Sequence, residues 1–184
     1  LGPGLGRDAW GQQMFQRVCA FDGPVLADAD ALNLLAESAE KKHPNWVLTP
    51  HPGEAARLLE TTVSGIESDR YQALKDLVDQ HDASVVLKGA GTLVGAPGQV
   101  PALIEAGNPG MATAGMGDVL SGVIGALLGQ GLEGFKAAAA GAGWHALAGD
   151  AAAREVGLAG LLAGDLCGYF FVAAGGHPEE SADE

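Results

Sequence analysis

Basic residues are scarce in this chain: Lys and Arg number 10 against 23 Asp and Glu, for a formal net charge of −13. The only adjacent basic pair is Lys41-Lys42. A groove that tracks nucleic-acid phosphates needs clustered cations, so nucleic acid is excluded as an expected partner. Cysteine is nearly absent too, with Cys19 and Cys167 far apart among apolar neighbours. That rules out a disulfide scaffold and predicts two buried thiols in a reducing compartment. No Cys and His spacing matches a metal site, and His43, His51, His81, His145 and His177 show no metal-binding pairing. The longest apolar stretches are broken by Asp, Lys or Gly, so none reads as a membrane span. Without a signal-peptide pattern, the expected setting is cytoplasmic. The string G-x-x-x-x-G-K-[ST] is also missing, so any nucleotide binding must use another device.

What the chain has in quantity is glycine, 29 residues, and alanine between aliphatic segments. Its 184 residues suffice for one well-buried domain. Aliphatic runs separated by glycine-rich turns point to an α/β layer protein. The patterning predicts helices over 7–21, 30–37, 53–59 and from a capping box at Ser64 to about His81. Later helices are expected over 117–130, 134–156 and 161–173. Strands are expected at 24–28, 46–49 and 84–88, followed by two more at 92–95 and 100–105. Three short strands in succession predict an antiparallel edge beside a mostly parallel sheet. One domain over 1–177 and an acidic, frayed tail over 178–184 complete the expected organisation. The chain opens on a glycine-rich loop, Gly2-Pro3-Gly4-Leu5-Gly6, with no strand before it. Such loops normally follow a strand, so further strands are expected upstream of Leu1.

Three strings carry potential chemistry. Gly115-Met116-Gly117-Asp118 precedes a strongly apolar helix, so its amides stay uncovered at the helix start. Amides there, backed by aligned peptide dipoles, stabilise a phosphate or a developing anion. Asp118 in the first turn can accept a proton from a hydroxyl that attacks a phosphoryl group. An ordinary acidic cap after a glycine turn has the same four residues, and both readings stand. Lys88-Gly89-Ala90-Gly91-Thr92 follows a strand end, where ligands collect in open α/β sheets. Lys88 can neutralise nucleotide phosphate there, or it can face solvent from a plain hairpin. Pro50-His51-Pro52-Gly53-Glu54 follows another strand end, and two prolines stiffen the presentation of His51. A lone loop histidine is more often structural. Gly129-Gln130-Gly131-Leu132-Glu133-Gly134 fits G-x-G-x-x-G but ends a helix, so it is not a dinucleotide fingerprint.

Taken together, GPGLG at 2–6, DADALNLL at 28–35, TPHPGEAARLL at 49–59, VLKGAGTLV at 86–94 and GNPGMATAGMGDVLSGVIGALLGQG at 107–131 resemble one family. It is the C-terminal dehydratase domain of the bifunctional NAD(P)H-hydrate repair enzymes, of the ribokinase-like superfamily. The resemblance implies a three-layer α/β/α fold with further N-terminal strands. It also implies repair of hydrated NADH or NADPH: a nucleotide phosphorylates the ring hydroxyl, and phosphate then leaves. By the same resemblance, Gly115 and Gly117 form the anion hole and Asp118 is the base. Lys88, Gly89, Ala90, Gly91, Thr92 and Gly117 contact the nucleotide, while Gly4, His51 and Asp118 face the hydrated dinucleotide. ADP, in preference to ATP, is the implied co-substrate, with Mg²⁺ on its phosphates and no metal held by protein side chains. A homo-oligomer, a tetramer in the family, and an upstream epimerase domain complete the implied partners. The rival readings are a vitamin-precursor kinase of the same superfamily and a nucleotide-binding fragment without turnover.

Overall fold

A computed structural model describes residues 1–39 and 41–173. The acidic segment 178–184 and His177 lie outside the described residues. Five strands form one sheet in the order β1 (Val25–Ala27), β2 (Trp46–Leu48), β3 (Ser84–Leu87), β4 (Thr92–Gly95) and β5 (Ala102–Ile104). β1, β2 and β3 run parallel, and β4 and β5 continue antiparallel. The expected antiparallel edge is therefore present. β1, β2 and β3 are buried at every position, which is why they read as short apolar runs without alternation.

Alternate residues of these strands feed two separate cores. Val25, Ala27, Trp46, Leu48, Val85 and Leu87 face one side. There they meet α1 (Ala9–Cys19), α2 (Asp30–Glu37), α3 (Pro52–Leu58), α4 (Val63–Ser68) and α5 (Arg70–His81). Leu26, Val47, Val86 and Val94 face the other side and pack on α6 (Met116–Gly129) and α7 (Gly134–Val156). This is the three-layer α/β/α arrangement. On the outer edge of β1, the Leu1 amino group donates to the Leu26 carbonyl at 2.6 Å, and the Asp28 amide donates to the Leu1 carbonyl at 3.0 Å. Leu1 thus occupies the position of a parallel ladder partner opposite Ala27.

Three expectations need correction. The helix expected from Ser64 to His81 is two helices, and the first cap is Thr62, whose hydroxyl accepts the Gly65 amide. The break comes at Asp69, whose carboxylate caps α5 by accepting the Gln72 amide at 2.9 Å. A local side-chain acceptor there outcompetes helix continuation. The segment 161–173 is a 3-10 turn over Ala163–Gly168 and a short α8 (Phe170–Ala173). There Asp165 accepts the Leu162 amide at 2.8 Å and fixes the tighter turn. Finally, Cys167 is exposed and Cys19 only half-buried, and no disulfide joins them.

Candidate active site at the carboxyl edge of the sheet

Because β1, β2 and β3 are parallel, the residues that follow them emerge along one edge. They are Asp28, the Thr49 to His51 segment, and Lys88. Asp28 is 2% exposed and is the centre of a polar cluster. Its Oδ1 receives the Lys88 Nζ at 2.9 Å, and its Oδ2 receives the Ser121 hydroxyl at 2.8 Å. Glu54, also buried, lies 3.8 Å from Lys88 Nζ and accepts the His51 amide at 2.8 Å. A chain of contacts therefore runs from His51 through Glu54, Lys88 and Asp28 to Ser121 on α6.

His51 is the N-cap of α3. Its Nδ1 accepts the Gly53 amide at 3.0 Å and, more weakly, the Glu54 amide at 3.4 Å, in a reciprocal box with Glu54. His51 thus has a structural role, as a helix cap, and the two amide donors fix its tautomer. A ring whose Nδ1 accepts must carry its proton on Nε2, which lies 3.5 Å from Glu54 Oε1. His51 itself remains exposed.

The glycine string opens α6. Gly115 is the N-cap, with φ 88 and ψ −13, a left-handed geometry that a side chain would strain. No side chain caps this end; the Met116 amide turns back to the Thr113 carbonyl at 3.4 Å, and the amides of Gly117 and Asp118 are left for another acceptor. Lys88 Nζ approaches within 3.4 Å of where a Gly117 Cβ would stand, and Asp28 Oδ2 within 3.7 Å. The structure thus brings Gly117 over Lys88 with nothing but hydrogen between them. Asp118 follows, exposed in the first turn of the helix.

The remaining expected residues flank this point. Gly4 sits in the opening loop, which Asp30 pins by accepting the Gly6 amide at 2.9 Å. Gly4 has φ 68 and open space around its Cα. Gly89, Ala90 and Gly91 form the turn into β4, and the Thr92 hydroxyl donates to the Gly89 carbonyl at 3.1 Å. Asp150 of α7 anchors the approach loop by accepting the Gly107 amide at 3.0 Å and the Asn108 side-chain amide at 2.9 Å.

Beneath the helix start lies His145 of α7, 8% exposed, with no hydrogen-bond partner at Nε2 among the described residues. Burial pushes its pKa down to about 4, the Lys88 charge acts in the same direction, and a hydrogen bond to the Met116 backbone opposes both. It is therefore a neutral ring under a cationic site. Sequence reasoning missed Asp28, Glu54, Ser121 and His145. Asp28 alone had a visible signal, an acid closing a fully buried strand as Lys88 closes another.

A cavity of about 540 Å³ opens at the opposite, amino-terminal edge, lined among others by Trp46, Asp22, Asp82 and Glu133. Its lining holds three acids and no cation, which suits no phosphate. The carboxyl edge, with an ammonium group beneath an uncapped helix start, does suit one.

Fold and edge together define an α/β/α protein whose strands present, at their carboxyl ends, a site suited to an anion. The family model described as NAD(P)H-hydrate dehydratase matches residues 1–170, and the chain belongs to that family. It is 55% identical over 166 residues to the bifunctional NAD(P)H-hydrate repair enzyme Nnr of Escherichia coli, covering 90% of this chain and 32% of that protein. It is 47% identical over 171 residues to the ADP-dependent (S)-NAD(P)H-hydrate dehydratase of Neisseria meningitidis, covering 90% and 58%. Among solved structures, the Bacillus subtilis ADP/ATP-dependent NAD(P)H-hydrate dehydratase co-crystallised with ATP and Mg²⁺ superposes with a TM-score of 0.84. That match has 29% identity and covers 95% of this chain and 62% of the other. The fold is thus ribokinase-like, as the resemblance implied. The chain spans about a third of the bifunctional relative and under two thirds of the other two proteins.

Proposed function

We propose that this chain carries the ADP-dependent dehydration of hydrated NADH and NADPH. The observation that carries the reading is the stacking of Lys88 Nζ beneath Gly117 at an uncapped helix start, with Asp118 exposed beside it. Gly115 makes the turn that leaves the Gly117 and Asp118 amides free to hold a phosphoryl group, and Lys88 neutralises its charge from below. The turn from Lys88 to Thr92 holds the rest of the nucleotide. Gly4 and His51 flank the hydrated dinucleotide, His51 through its Nε2 side.

Asp118 accepts the proton of the ring hydroxyl as that oxygen attacks the terminal phosphorus of ADP. AMP leaves, and the ring carries a phosphate ester. The carbon–oxygen bond to phosphate then breaks, a proton leaves the adjoining ring carbon, and the double bond returns. The sum is hydrated NADH and ADP giving NADH, AMP, phosphate and a proton.

Mg²⁺ fits this site as an ion riding on the nucleotide. Among the described residues no group of three or more His, Cys, Asp or Glu stands ready to hold a metal. Asp28 and Glu54 are already engaged by Lys88. Mg²⁺ commonly keeps its waters and binds through phosphates, where it neutralises developing charge. The same reading takes the protein as cytoplasmic and as a homo-oligomer; exposed Leu147, Val156, Leu158, Leu162 and Phe171 support the second of these.

The test is incubation with hydrated NADH, ADP and Mg²⁺ while following the absorbance of reduced nicotinamide. Return of that absorbance with stoichiometric AMP supports dehydration. AMP without it marks a kinase that stops at the ester. Bound ADP with neither product marks a nucleotide-binding fragment.

A further inference from the structure

We propose that Arg70 is a positioning residue for nucleotide binding, a clamp that turns the amides of the Lys88–Thr92 turn toward the ligand. This rests on the reading of that turn as the nucleotide site. Arg70 is the first residue of α5, where a cation opposes the helix dipole and is disfavoured. Its reward is tertiary. Nη1 donates to the Ala90 carbonyl at 3.0 Å, and Nη2 donates to the Leu87 and Lys88 carbonyls at 3.1 and 3.3 Å. The Arg70 side chain is only 16% exposed, its Nε is buried without a partner among the described residues, and Glu67 stands 4.0 Å away.

The fourth carbonyl of the turn, that of Gly89, accepts the Thr92 hydroxyl. Every carbonyl from Leu87 to Ala90 is therefore held by Arg70 or Thr92. All peptide bonds here are trans, so each amide points opposite to the carbonyl of its own peptide. With the Lys88 and Ala90 carbonyls drawn onto the guanidinium, the amides of Gly89 and Gly91 point away from it. The guanidinium thus presents two donors outward without touching the ligand. Gly89 explains itself in the same way. It has φ 147, and a Cβ there would stand 2.5 Å from Arg70 Nη1. Planarity and the fork matter, because two separate guanidinium nitrogens divide the three carbonyls between them, and an ammonium offers only one nitrogen.

The experiment measures ADP affinity by calorimetry and KM for ADP and hydrated NADH in wild type, Arg70→Lys and Arg70→Gln. Arg70→Lys keeps charge and stem and is the variant on which the outcome is read if Arg70→Gln does not fold. We expect ADP affinity to fall at least about tenfold in either variant, with KM for hydrated NADH within about twofold of wild type. Added guanidinium ion should recover part of the ADP affinity of Arg70→Gln. Wild-type ADP affinity in folded Arg70→Lys overturns the clamp, as does an equal loss for both substrates. If wild type itself binds no ADP, the nucleotide reading of the turn fails, and the clamp falls with it.

Discussion

Gly117→Ala separates stability from function at this site. The residue sits in the first turn of α6, where alanine is the better helix former by up to about 1 kcal/mol. The new methyl would stand 3.4 Å from Lys88 Nζ and 3.7 Å from Asp28 Oδ2. The first contact is tight, but it meets the free end of a flexible side chain, so its cost is a few tenths of a kcal/mol at most, by the order of a small packing adjustment. Stability should therefore be unchanged or raised by up to about 1 kcal/mol, a rise in Tm of roughly 0–4 °C for a domain of this size. Binding should move the other way. Side-chain bonds tilt toward the helix N-terminus, so the methyl leans into the space above Lys88 where phosphate would settle. Losing that one approach should weaken ADP at least about tenfold, or about 1.4 kcal/mol. Thermal unfolding and calorimetric titration with ADP and Mg²⁺ read the two quantities on the same sample. A variant that binds ADP like wild type would refute the placement of the ligand over Gly117. A loss of more than about 2 kcal/mol of stability would refute the contact geometry.

Two further substitutions probe the cluster underneath. Asp28→Ala leaves Lys88 with only the more distant Glu54, and breaking a buried pair costs about 3–5 kcal/mol. Lys88 is partly exposed, so denaturant unfolding should give the lower end of that range, and a neutral result would show that the pair is not buried in solution. His145→Gln should flatten the acid limb of the stability curve. The folded pKa of His145, about 4, lies below its ordinary value of 6.5, so the unfolded chain binds the proton first. Stability contributed by this ring is full above about pH 6.5 and is lost as pH falls toward 4. Between about pH 7 and 4.5 wild type should lose roughly 2 kcal/mol more than the variant. Parallel urea midpoints for the two proteins would remove His145 as the cause.

Legibility in the sequence followed the range of the interactions. β1, β2 and β3 stood out because burial on both faces makes an unbroken apolar run, and α2 and α7 kept the bounds their periodicity predicts. The glycine turn before α6 was visible because a left-handed cap demands glycine locally. The division at Asp69 was not, since an Asp inside an otherwise helical pattern reads as a surface residue until its carboxylate is seen to cap α5. The cluster around Asp28 was hidden for a different reason. Its partners lie 60 and 93 residues away in the chain, and no local pattern encodes a pairing formed by strand order. Arg70 was equally silent: its position disfavours it locally, and the three carbonyls that hold it come from another element.

The most direct test of the account is Asp118→Ala, assayed for AMP formation that depends on hydrated NADH, with ADP affinity measured alongside. Asp118 is exposed at the helix start, so its loss should leave fold and ADP affinity near wild type. A general base contributes about 10²–10⁴-fold, so AMP formation should fall by at least about a hundredfold. Turnover at the wild-type rate in the presence of normal ADP binding would contradict the assignment of the base, and with it the chemistry placed at this edge.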